Sequence, residues 1–174
     1  MTTYNFDSYV GQSIAFDADA DVLAFLYTGN QVRFTQSGSD LVATVTGVGS
    51  VTLTGTALGE LTTTNVSVVS GSVNVGDDTT SDALDELANT IGLAANDSDN
   101  LIYGMGSGDD IDVGDGDNVI FGGNGETDST DGADDIDAGE GSNLVYGNAG
   151  NDTINFTYTG TGTGTNTVYG GLGD

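Results

Sequence analysis

Gly147-Asn-Ala-Gly-Asn-Asp-Thr-Ile-Asn155 sets glycine at its first and fourth positions, aspartate at its sixth and isoleucine at its eighth. The same register runs outward in both directions. It reads AGEGSNLVY at 138–146, STDGADDID at 129–137, VGDGDNVIF at 113–121, GMGSGDDID at 104–112, ANDSDNLIY at 95–103 and TGTGTNTVY at 161–169. Glycine permits the positive-φ turns and close backbone approach of a tight loop. The last three positions form a short strand whose central apolar side chain points inward. Ile102, Ile111, Ile120, Ile136, Val145, Ile154 and Val168 then fill a narrow core.

Seven units in one register resemble the hemolysin-type calcium-binding nonapeptide repeat of RTX proteins, over roughly residues 95–174. The resemblance implies a parallel β-roll (the RTX β-solenoid) with two nonapeptides per turn, so that residues 18 apart stack. Stacked strands lie about 4.8 Å apart, and two carboxylates at that spacing repel by about 3.5 kcal/mol at an effective dielectric of about 20. An oxygen-coordinated divalent ion between them reverses the sign. Calcium suits such a place because it accepts carboxylates and carbonyls in flexible geometry.

The resemblance further implies that the sixth-position side chain, with turn carbonyls, binds several Ca2+ ions. That position alternates along the chain as Asn100, Asp109, Asn118, Asp134, Asn143, Asp152 and Asn166. Two units per turn place Asp109, Asp134 and Asp152 on one edge and the asparagines on the other. The Asn edge is expected either to bind ions more weakly or to form a hydrogen-bonded ladder. Asp97, Asp99, Asp115, Asp117 and Glu140 are candidate additional ligands in its loops. Ser98 and Ser107 replace the fourth-position glycine, and residues 122–128 and Phe156–Gly160 insert seven and five residues. These insertions bear on the sites at Asp109 and Asp134; they read as surface loops or as a dedicated ligand loop.

Outward positions of strands following Asn turns carry Tyr103, Phe121, Tyr146 and Tyr169, whereas those following Asp turns are acidic. A contiguous aromatic face seeks cover, either from the N-terminal module or from a neighbouring molecule; otherwise it is a ladder that stiffens the roll. Sheet edges, roll ends or this face would support a homo-oligomer or polymer.

Composition narrows the alternatives. The 174 residues hold 27 Asp plus Glu against one Lys or Arg, for a formal charge of −26. Nucleic acid is excluded as a partner, because phosphate binding needs cations; an anionic membrane surface is excluded likewise. The chain has no His and no Cys, which removes N/S zinc sites, His bases and thiol nucleophiles. No stretch reads as a bilayer span or as a cleavable N-terminal signal.

Residues 1–75 hold only six of the acids and eight of the 29 glycines. Period-two alternation at Ile14/Phe16, Leu23/Phe25/Tyr27, Val32/Phe34, Leu41/Ala43/Val45, Val51/Leu53 and Val66/Val68 predicts a small antiparallel β-sandwich or sheet over 1–76. Arg33 falls mid-strand, as a surface residue. Residues 77–94 are a linker or a degenerate capping repeat. Within them Ser81–Asn89 reads either as a short helix or as a first repeat with Asn89 and Ile91 in the metal and core positions; the register favours the repeat.

The expectation is therefore an all-β, non-enzymatic protein, secreted or on the cell surface, whose repeats fold on extracellular Ca2+ and support self-assembly as a surface layer, filament or matrix. The alternative is the N-terminal portion of a calcium-dependent adhesin or of a larger RTX exoprotein, an exoenzyme included. The resemblance implies type I secretion with no cleaved N-terminal signal. The end at Gly170–Asp174, within a repeat, suggests a longer roll. Third-position residues form no flat Thr/Asn ladder, which argues against ice binding.

Overall fold

Alternation of apolar and polar residues builds the first half of the chain. The computed structural model describes residues 1–93, 97–157 and 164–173. Its first seven strands are β1 (Thr3–Asn5), β2 (Ser13–Ala15), β3 (Val22–Ala24), β4 (Val32–Ser37), β5 (Asp40–Val45), β6 (Gly49–Thr54) and β7 (Val66–Ser67). Strands β4, β5 and β6 form an antiparallel meander, with Val32, Phe34, Leu41, Ala43, Val45, Val51 and Leu53 all buried on one face. Gly38, at φ +65°, makes the two-residue turn between Ser37 and Asp40.

Contrary to the expectation of a small antiparallel sheet, the module is not wholly antiparallel. Strand β2 pairs parallel with β6, and β1, β3 and β7 form a separate parallel sheet. The chain leaves the β1 sheet through a single helical turn (α1, Phe6–Tyr9), contributes β2 to the other sheet, and returns as β3. Such a crossover brings the chain back in the same direction, as parallel pairing requires.

Nine strands follow: β8 (Val73–Val75), β9 (Thr90–Leu93), β10 (Leu101–Tyr103), β11 (Asp110–Val113), β12 (Val119–Phe121), β13 (Asp135–Asp137), β14 (Leu144–Tyr146), β15 (Thr153–Asn155) and β16 (Thr167–Tyr169). They alternate between two parallel sheets, β8-β10-β12-β14-β16 and β9-β11-β13-β15. Cα register aligns Ile102 with Ile120, Val145 and Val168 in one sheet, and Ile91 with Ile111, Ile136 and Ile154 in the other. Between the sheets lie Ile91, Ile102, Ile111, Ile120, Ile136 and Val145, all buried. Each contributes about 1.5–3 kcal/mol by leaving water. Val168, at the end of the stack, is 44% exposed.

The seven-residue insertion leaves this register intact. Asp110 pairs with Asp135 and Val119 with Leu144, each 25 residues on, so the extra residues are extruded at a turn. The second insertion, Phe156–Gly160, falls for the most part outside the described residues, as does Asp174. The parallel sheets also begin earlier than the repeat, with Val73–Val75. The 77–94 segment holds both expected features, a one-turn helix (α2, Asp82–Asp85) and a strand with Ile91 buried.

The aromatic face of the β8–β16 sheet is covered by the N-terminal module. Leu101, Tyr103, Met105, Val119 and Phe121 share one core with Phe34, Leu41 and Leu61. Tyr103, Phe121, Tyr146 and Tyr169 stack with centroids 4.9, 4.9 and 4.7 Å apart, following the strand spacing. Cover ends along the ladder, and Tyr169 is 52% exposed. The Tyr103 hydroxyl accepts from the Phe34 N–H and donates to the Phe34 carbonyl, each at 3.0 Å. It thus completes the backbone of β4, the edge strand of its sheet.

Tyr103→Phe leaves both Phe34 groups buried without a partner and is expected to cost about 1–3 kcal/mol. A urea midpoint shifted down at unchanged strand content would show it. Arg33 is half-buried, with its guanidinium donating to the Asn30 and Val32 carbonyls at 2.7 Å each, rather than free on the surface.

Candidate functional site

The two edges of the parallel sheets use the same ladder and end in opposite chemistry. On one edge the Asn89 N–H donates to Asp109 Oδ1 (2.7 Å), the Asp109 N–H to Asp134 Oδ1 (2.8 Å) and the Asp134 N–H to Asp152 Oδ1 (3.0 Å). The sequence therefore brings Asp109, Asp134 and Asp152 into one column, the 122–128 insertion notwithstanding. The other oxygen of each carboxylate, Oδ2, is buried and has no hydrogen-bond partner. Asp109 and Asp134 are only 3% exposed.

Those oxygens face the turn glycines. A Cβ placed on Gly104 would come within 3.0 Å of both Asp109 Oδ2 and the Gly122 carbonyl oxygen. On Gly122 it would meet Asp134 Oδ2 and the Gly147 carbonyl, and on Gly147, Asp152 Oδ2 and the Gly170 carbonyl, as closely. Only glycine fits at these three places. Each is a repeated pocket in which a carboxylate oxygen and a carbonyl oxygen converge with no donor between them. Two acceptors facing each other in a buried place are unfavourable unless a cation or a proton joins them.

The electrostatics agree. Burial pushes Asp109 up to about 7, with Asp134 and Asp85 adding to the shift against the Asn89 hydrogen bond. Burial likewise raises Asp134 to about 6, aided by Asp152, and raises Asp152.

The other edge is self-satisfied. The Ser72 N–H donates to Asn100 Oδ1, the Asn100 N–H to Asn118 Oδ1, the Asn118 N–H to Asn143 Oδ1 and the Asn143 N–H to Asn166 Oδ1, at 2.9–3.0 Å. Because a backbone donor fixes the oxygen, the amide nitrogen must face the turn. Asn118 Nδ2 donates to the Gly114 and Gly116 carbonyls, Asn143 Nδ2 to the Gly139 carbonyl and Asn100 Nδ2 to the Ser98 carbonyl. Of the two expectations for Asn100, Asn118, Asn143 and Asn166, weak metal ligation or an amide ladder, the hydrogen-bonded ladder is the arrangement present. An ion at the turns of Asn100, Asn118 and Asn143 would meet N–H groups.

Asp99, Asp117 and Asp115 point their oxygens along the outside. The Asp117 N–H donates to Asp99 Oδ1, the Ser142 N–H to Asp117 Oδ1 and the Glu140 N–H to Asp115 Oδ1, at 2.7–2.9 Å. They make a second, partly solvated ladder and do not join the Asp109 column. Among the described residues no three acidic side chains converge in a metal-holding group. Any ion on the Asp edge would thus be held by carboxylates singly, together with backbone carbonyls.

Two members of the buried set lie outside the repeat pattern. Asp85 is fully buried, its Oδ1 accepts from the Asp77 N–H at 2.8 Å, and its Oδ2 has no partner. Burial, with Asp77 and Asp82 nearby, raises it to about 7. Asp131 has an unpartnered, buried Oδ2 beside Asp128 Oδ2 at Gly123, and burial next to Asp134 raises it to about 8. Neither stands at a sixth position, so the nonapeptide register carries no signal for them. Among the described residues no helix is long and apolar enough to cross a membrane. Compared with known proteins, the chain matches no family model, no curated protein and no solved structure.

Proposed function

We propose that this chain is a calcium-binding structural protein of the RTX type, in which the two parallel sheets are the walls of a β-roll and the Asp109–Asp134–Asp152 edge takes up Ca2+. The observation that carries the reading is the unpartnered Oδ2 that faces a glycine carbonyl in three successive turns. All the available ligands are oxygens, which suits calcium, and each bound ion would replace a repulsion between acceptors by two attractions. Without ions, a chain of charge −26 opposes its own compaction. In a calcium-poor cytoplasm the repeats would stay open for export by a type I system. Millimolar calcium outside the cell would then close the roll turn by turn, since metal binding is folding free energy.

The proposed role is structural: a component of a surface layer, filament or matrix. Val168 and Tyr169 of β16, with Leu172 beyond it, stand at 44–63% exposure at the end of the β8–β16 sheet, a surface on which further strands, of this chain or of another copy, would add. The test is negative-stain imaging of the full chain moved from chelator into millimolar calcium. Ordered arrays or fibres are expected. Dispersed monomers at every concentration would overturn self-assembly and leave the adhesin or exoprotein reading.

A further inference from the structure

Asp85 is not used by the repeat ladder, yet it is the most deeply buried acid of the set, at 0% exposure. Its free oxygen is directed out of the parallel sheets toward the single turn Leu58–Glu60 of the N-terminal module. A Cβ built on Gly59 would come within 3.0 Å of both Asp85 Oδ2 and Asp82 Oδ1. Two carboxylate oxygens from one module therefore converge on a glycine backbone of the other. The one basic side chain of the protein, Arg33, is engaged with the Asn30 and Val32 carbonyls. A cleft of about 400 Å³ opens beside this point, with Glu60, Asp82 and Glu86 in its wall.

We propose that Asp82 and Asp85 hold a divalent cation that clamps the Leu58–Glu60 turn of the N-terminal module to the head of the parallel sheets. Asp85 supplies a buried, pre-aimed oxygen fixed through its Oδ1 by the Asp77 N–H. Asp82, exposed at the mouth, supplies the second charge. Glu60 and Glu86 line the approach. Gly59 is required because any side chain there would fill the ion's place. The consequence is that the docking of the two modules, and with it the cover over Tyr103 and Phe121, depends on the cation as well as on apolar packing. This inference extends the calcium reading to residues outside the nonapeptides, and its test separates the two.

The experiment is calorimetric titration of the full chain with calcium alone, for the wild type, Asp85→Asn, Asp82→Asn and, as a repeat-edge control, Asp152→Asn. Asp85→Asn is expected to bind one ion fewer than the wild type while keeping its strand signal at saturating calcium. Asp82→Asn is expected to weaken one ion about tenfold, since affinity at oxygen sites follows ligand charge. Should Asp85→Asn fail to fold, the exposed Asp82→Asn decides. Unchanged ion number and affinity in the Asp82 and Asp85 variants, with a loss in Asp152→Asn, would overturn the clamp in favour of a shared proton and leave the repeat edge standing. A wild type that binds no calcium would overturn both.

Discussion

A variant carrying Asp109→Asn, Asp134→Asn and Asp152→Asn together is expected to fold in the presence of a chelator, under conditions where the wild type does not. The molecule already contains the comparison. Along the Asn edge, backbone N–H groups hold each Oδ1 as they do along the Asp edge, while Nδ2 donates to turn carbonyls two and four residues earlier, as Asn118 does to Gly116 and Gly114. The Asp edge presents an unpartnered oxygen in that place. Substitution supplies the missing donor with almost no change of shape and removes three buried charges. Each unsatisfied buried acceptor costs about 1–3 kcal/mol, and more when charged, so the combined effect should be large. Circular dichroism and urea unfolding in chelator measure it. A triple variant as unfolded as the metal-free wild type would show that the Asp column is not what the cation relieves.

The metal-free wild type is expected to gain stability on acidification as its buried carboxylates take up protons. In the folded state Asp134 stands near 6, Asp85 and Asp109 near 7 and Asp131 near 8, chiefly through burial. In the unfolded chain a carboxylate titrates near about 3.9. Between roughly pH 4 and pH 8 the folded state therefore holds protons that the unfolded state has released. Stability then falls as pH rises through that window and is greatest toward its acid end. A protein unfolded in chelator at pH 8 should recover strand signal near pH 5. With calcium bound, the ion takes the place of the protons and the dependence should flatten. General charge repulsion acts in the same direction, so the triple Asn variant is the control. Its pH dependence should be shallower than that of the wild type, and equal slopes would remove Asp109, Asp134 and Asp152 as its source.

The repeat made much of the second half legible because three residue types recur for separate physical reasons: glycine for approach, Asp or Asn for the ladder, Ile or Val for the interior. The two insertions did not hide this, since the strands on either side keep register, with Ile111 opposite Ile136 and Val145 opposite Val168. The start of the sheets was not legible in the same way. Val73-Asn74-Val75 places a polar residue where the later strands carry Ile or Val, with Asn74 aligned to Ile102. Asp85 ends the helical turn Asp82–Asp85 and stands at no sixth position of the nonapeptide register. In the N-terminal module, alternation revealed which residues face inward, as Val32, Phe34 and Leu53 do. It carries no information on whether β2 runs with or against β6, which depends on the crossover. The division of labour between the edges was legible only as an alternation of Asp and Asn. Its meaning comes from where a backbone N–H pins each oxygen.

The most direct test of the account is a calcium titration of the chelated wild-type chain at neutral pH, followed by far-ultraviolet circular dichroism. A cooperative rise in strand signal on adding calcium, reversed by chelator, is predicted. A spectrum already rich in strand without calcium and indifferent to its addition would contradict the account, and the buried, unpartnered oxygens of Asp109, Asp134 and Asp152 would then have to be held by protons alone.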